Sequence, residues 1–123
     1  MQAELQAEYP ELDIHILGIN QPDNIGQGGE TLVASISTLP MVQDDTTANV
    51  WPSWGAIWRD IHILNRSNEV LHVFNLTQHN LGPGNGFCSD PLYIDQVSCE
   101  GSGAVWNVNY DYLKQLFIDA ASQ

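Results

Sequence analysis

Trp58-Arg59-Asp60-Ile61-His62-Ile63-Leu64-Asn65-Arg66-Ser67-Asn68-Glu69-Val70-Leu71-His72-Val73-Phe74-Asn75-Leu76 is the stretch on which the fold turns. Two apolar runs rich in β-branched and aromatic residues, Trp58 to Leu64 and Val70 to Leu76, flank the polar link Asn65-Arg66-Ser67-Asn68. Such residues fit a pleated, half-buried surface, and a link this short joins antiparallel neighbours. The stretch therefore predicts a β-hairpin.

Outward from the hairpin, the neighbouring segments read as alternating helix and strand. Gln2 to Tyr9 holds good helix formers, and Pro10 ends them because the residue before a proline is pushed out of the α region. Leu12 to Ile19 is an apolar run of the kind found in a parallel strand buried on both faces. Gln21 to Glu30 is loop by its Pro and Gly content, and Thr31 to Thr38 predicts a short helix. Leu39-Pro40-Met41-Val42 reads as extended, and Thr46 to Trp54 as a short helix with a capping threonine and Pro52 in its first turn. After the hairpin, Thr77 to Asn107 is long, glycine-rich and polar, an insertion-like loop. Asn109 is placed to cap a final helix in which Leu113, Leu116, Phe117 and Ala120 recur at helical spacing. There is no internal repeat and no compositional break, so residues 1–123 read as a single α/β domain.

Charge narrows the partners. Fifteen acidic residues face three basic ones, for a net charge of −12. A surface so negative repels phosphate backbones and anionic membranes, so neither nucleic acid nor a membrane is expected as a partner. No apolar run approaches the about 20 residues that a bilayer-spanning helix needs. Met1-Gln2-Ala3-Glu4-Leu5 lacks the basic end and apolar stretch of a signal peptide.

In three places the chain resembles thioredoxin-fold proteins of the peroxiredoxin-like kind. Leu39-Pro40-Met41-Val42-Gln43-Asp44 is similar to the segment before that family's short helix. Trp58-Arg59-Asp60-Ile61-His62-Ile63-Leu64-Asn65 resembles its arginine-led strand, and Asn75-Leu76-Thr77 with the terminal helix resembles its end. The resemblance implies a thioredoxin-like mixed sheet carrying a C-terminal antiparallel hairpin, with flanking helices. It also implies a parent protein that is a thiol-disulfide oxidoreductase or peroxidase-like, with a thiol redox partner and no cofactor.

In that family the redox cysteine sits at a helix N-terminus upstream, where the helix dipole stabilises its thiolate. The first residues here resemble the tail of that helix, so the chain reads as an N-terminally truncated fragment without the catalytic cysteine. Arg59 corresponds by resemblance to an arginine that stabilises the thiolate and orients peroxide. Ile57-Trp58-Arg59 departs from the Ile-Pro-Thr of thioredoxins, which tells against dithiol exchange. A missing central strand would leave open sheet edges, and these predict strand collapse, a homo-oligomer, or a longer natural protein.

Cys88 and Cys99, with ten residues between them, stand in the polar loop. One reading is a disulfide that clips the loop, contributes about 2–3 kcal/mol and implies a periplasmic or secreted location. Another is two free thiols in a cytosolic protein, and a third is an exchangeable redox pair, although no basic residue lies nearby to activate a thiol. His15, His62 and His72 fall in strand candidates. A three-residue hairpin loop would set His62 opposite His72, as weak candidates for a metal pair. Asp90, Asp95 and Glu100 offer oxygen ligands without EF-hand spacing. Trp51, Trp54 and Trp58 suit either core packing or a binding surface. The alternative to the redox reading is a non-catalytic structural or protein-interaction module stapled by the loop disulfide.

Overall fold

The computed structural model describes residues 1–24 and 39–123. The helix expected over Thr31 to Thr38 lies outside the described residues. The chain is mixed α/β, with three small sheets among the described residues and flanking helices. Its contacts divide it into two compact units, Ala3–Ile14 with Arg59–Gln123 and Met1, and His15–Trp58 with Gln2. Among the described residues no helix is long and apolar enough to cross a membrane.

The first unit is built on the hairpin. Strands β3 (Asp60–Leu64) and β4 (Val70–Asn75) pair antiparallel with Asp60 opposite Asn75 and Ile61 opposite Phe74. The Asn65 side-chain oxygen accepts the N–H groups of Ser67 and Glu69, at 2.9 and 3.0 Å, and so shapes the turn. Asn68, at φ 61°, takes the left-handed conformation that asparagine tolerates better than most residues. At the other end Asn75 donates to Asp60 at 2.8 Å and accepts from Thr77 and Gln78. That asparagine turn stops β4, which is the structural work of the Asn75-Leu76-Thr77 motif.

Helix α4 (Asn109–Ala121) lays its apolar stripe on this hairpin. Ile63, Phe74, Leu113 and Ala120 form the buried core, with Leu116 and Phe117 packed against it. The helical spacing in the sequence thus marks the face that docks. Helix α1 (Gln2–Glu8) is tied to the same helix, because Lys114 bridges Glu4 and Glu8 at 2.6 Å each and the Tyr110 hydroxyl donates to Glu4. The Lys114 and Tyr110 contacts hold the Glu4 carboxyl below its ordinary pKa. Asn109 is not the predicted cap. It is the first helical residue and buried, and its side-chain amide donates to the Asn80 carbonyl at 2.9 Å, so tertiary contact outcompetes the local cap.

The stretch from Thr77 to Asn107, expected to be loop, contains β5 (Gly86–Cys88), α3 (Gln96–Gly101) and β6 (Trp106–Val108). Strands β5 and β6 pair antiparallel. Gly86 permits the pairing, since a Cβ there would stand 2.3 Å from the Asn107 carbonyl oxygen. Phe87 joins an aromatic ring of rings in which Phe74, His79, Phe87 and Tyr112 follow one another at centroid distances of 4.9 to 6.3 Å. That cluster fastens the insertion to the hairpin and to α4.

In the second unit β1 (Gly18–Asn20) and β2 (Met41–Gln43) pair in parallel, with Ile19 opposite Val42. Of the strand expected over Leu12 to Ile19 only Gly18 and Ile19 have strand structure, as the first two residues of β1, because only there does the backbone meet a ladder partner. The one mixed sheet read from the sequence is therefore replaced, among the described residues, by three two-stranded sheets.

Helix α2 (Val50–Trp54) follows, with Pro52 in its first turn. Its N-terminus is capped from a distance. Asp44, buried, accepts the N–H groups of Asp45 and Val50 through Oδ1, at 2.9 and 3.0 Å, and that of Trp51 through Oδ2 at 2.8 Å. Burial works to raise the Asp44 pKa, but the Trp51, Val50 and Asp45 N–H groups outweigh it and hold the carboxyl below its ordinary value. The predicted threonine cap is displaced by this carboxylate.

Candidate functional site

Arg59 stands at the start of the hairpin, exposed, with φ at 69°. A positive φ is costly for a side chain this long and is held here by tertiary structure, as the Arg59 carbonyl accepts the Leu76 N–H at 2.9 Å. The backbone at Arg59 is thus held at a defined corner of the hairpin. No cysteine thiol is present for it to act on, because both cysteines of the chain are joined in the disulfide.

The two hairpin histidines are not brought together. His62 pairs with Val73 and His72 with Ile63, so they point to opposite faces of the ladder. Next to the turn the pairing is that of a three-residue loop, with the Asn65 N–H on the Glu69 carbonyl and Leu64 opposite Val70, but a register shift between Ile63 and Leu64 moves His72 from His62 to Ile63. His62 instead lies on the Asp60 side, with Nε2 3.8 Å from Asp60 Oδ2 and both side chains largely buried. His72 is exposed. Among the described residues no group of three His, Cys, Asp or Glu side chains is placed to hold a metal ion.

Cys88 and Cys99 form a disulfide, which selects the staple from the alternatives left open by the sequence. Cys99 is 0 % exposed and Cys88 8 %. Thiol-disulfide exchange needs a thiolate to reach a sulfur, and this pair is shielded from one. The bond ties β5 to α3 and closes a frame that several hydrogen bonds brace. Ser89 and Val105 exchange bonds at 2.8 and 2.9 Å, Asp90 turns the chain by accepting from Leu92, and Asp95 caps α3 through the Ser98 N–H at 2.8 Å. The Ser98 bonds lower the Asp95 pKa. Asp90 and Asp95 are thus engaged as turn and cap.

On this frame stand three aliphatic side chains that sequence reasoning missed. Leu92 is 83 % exposed, Ile94 92 % and Val97 83 %, with Val105 exposed beside the Ser89 bridge. The apolar letters alone could not mark them, since the same residue types fill cores. In the second unit a cleft of about 530 Å³ is lined by Gln21, Asp23, Thr46, Asn49, Trp51 and Pro52. The Trp51 indole N–H is spent on the Ile19 carbonyl at 3.0 Å, while Trp54 and Trp58 are exposed rather than packed in a core. The cleft offers amide, hydroxyl and carboxylate groups beside an aromatic ring, and among the described residues no serine or cysteine lines it.

Compared with known proteins, the chain matches no family model, no curated protein and no solved structure.

Proposed function

We propose that this chain is the scaffold part of a thioredoxin-like domain, in a parent protein that reduces peroxides or exchanges thiols and disulfides. The observation that carries the reading is the order of elements. A parallel pair β1 and β2 is followed by a short helix, an antiparallel hairpin opened by Arg59, and a terminal helix whose apolar stripe covers that hairpin. This is the order implied by the resemblance of the Leu39 to Asp44 and Trp58 to Asn65 motifs. In this reading Arg59 supplies fixed positive charge to a thiolate held elsewhere, and the Cys88–Cys99 bond is structural. A buried disulfide also suits an oxidising compartment.

The test is a chain extended by the coding sequence ahead of Met1, searched for a cysteine at a strand-to-helix turn and assayed for peroxide and disulfide reduction. Turnover that falls sharply in Arg59→Ala supports the reading. Absence of such a cysteine, or turnover by the 123-residue chain that disappears in Cys88→Ser, Cys99→Ser, overturns it.

A further inference from the structure

Among the described residues Leu92, Ile94 and Val97 stand largely exposed to water, yet the backbone that carries them is held by a disulfide, the Asp90 turn and a helix cap. A rigid apolar display of this kind loses little conformational entropy when it is covered, which is the condition for tight docking on modest area. Its surroundings specify the sign of the partner. Asp90, Asp95 and Glu100 stand before, between and after the aliphatic residues along the chain, and no lysine or arginine occurs between Arg66 and Lys114. A second copy of this chain carries the same −12 charge and is repelled, as is an anionic bilayer.

We infer that residues 90–97 form a docking knob for a protein partner that presents a shallow apolar groove with lysines or arginines along its rim. The aliphatic side chains fill the groove and are expected to carry the affinity, while the three carboxylates meet the basic rim and set encounter rate and salt dependence. The knob is separate from the Arg59 corner, so the inference does not depend on thiol chemistry.

The test uses the full chain and a designed two-helix hairpin with a leucine-lined groove and a lysine rim, with a glutamate-rimmed twin as control. NMR shifts should map binding to residues 90–97. Leu92→Ser, Ile94→Ser, Val97→Ser should weaken it by about tenfold or more while leaving the urea midpoint unchanged, because the side chains support no core. Asp90→Asn, Asp95→Asn, Glu100→Gln keeps the turn and cap and should slow association and flatten its salt dependence. Equal binding to the glutamate twin, no binding to the lysine hairpin, or binding unchanged in the serine variant overturns the inference. So does a dimer in sedimentation, or attachment to zwitterionic vesicles, that the serine variant abolishes.

Discussion

The carboxylate of Asp44 accepts the backbone N–H of Trp51 at 2.8 Å, seven residues further along the chain. One buried side chain thereby satisfies donors at the start of α2 that the helix cannot satisfy for itself. Asp44→Ala should leave the Val50 and Trp51 N–H groups without their acceptor and loosen the segment from β2 to α2. Hydrogen exchange at those two amides should accelerate by about tenfold or more, with a smaller change in Asp44→Asn, which keeps an acceptor oxygen.

Leu113 is 1 % exposed and packs in the core that α4 forms with Ile63 and Phe74. Leu113→Ala should cost about 2–5 kcal/mol in urea unfolding, because the lost transfer energy is joined by a cavity that a small core closes only in part.

Gly86 faces backbone rather than a movable side chain, with the Asn107 oxygen 2.3 Å from where a Cβ would lie. Gly86→Ala should cost about 1–3 kcal/mol and weaken protection at Phe87 and Trp106. Gly18 is the useful contrast, since its obstruction is the flexible Met41 side chain, so Gly18→Ala should be rescued by Met41→Ala.

Reduction of Cys88–Cys99 should be slow in the native chain and fast in denaturant, because both residues are buried. Thiol titration against time, with and without urea, reads this directly. Cys88→Ser, Cys99→Ser should lower stability by about 2–3 kcal/mol, as the unfolded chain regains a loop's freedom.

Stability should fall at both ends of the pH scale. The carboxyls of Glu4, Asp44 and Asp95 have lowered pKa values, so their contributions are complete above the ordinary carboxylate range and are lost as pH drops through their folded values. Lys114 and Tyr110 are raised, chiefly by their hydrogen bonds to Glu4, so their contributions are complete below about pH 10 and are lost as pH climbs through the raised values. Glu4→Gln should flatten both limbs of the curve of urea midpoint against pH.

The hairpin and the terminal helix were legible because their signals are local. Alternating apolar residues around Asn65 to Asn68 and the spacing from Leu113 to Ala120 state which face is buried without reference to anything distant. The insertion was not legible, since its strands are three residues long and its cohesion comes from the disulfide, from Gly86 against Asn107 and from Phe87 among aromatic partners. None of these has a period. The Lys114 tether to Glu4 joins residues 110 apart, and the His62 register turns on a bulge that the residue letters do not encode. Of the candidate site, the cysteine pairing was visible as one of three readings, whereas the exposure of Ile94 depends on tertiary placement.

The Asn109 N–H donates to the Asn85 carbonyl at 2.8 Å, so the chain leaves for the disulfide insertion and returns from it through a single bond. An excursion whose ends already meet imposes almost no closure constraint on what lies between them. Outside β5 and β6, which carry Gly86 and Phe87 and contact α4, the segment 89–105 can change in length and composition while the hairpin and α4 keep their packing, at the cost of what the disulfide contributes. In evolutionary terms this is a socket: selection can rewrite what the knob recognises without solving the fold again, and an engineer can exchange it for a two-residue turn or graft it onto another scaffold.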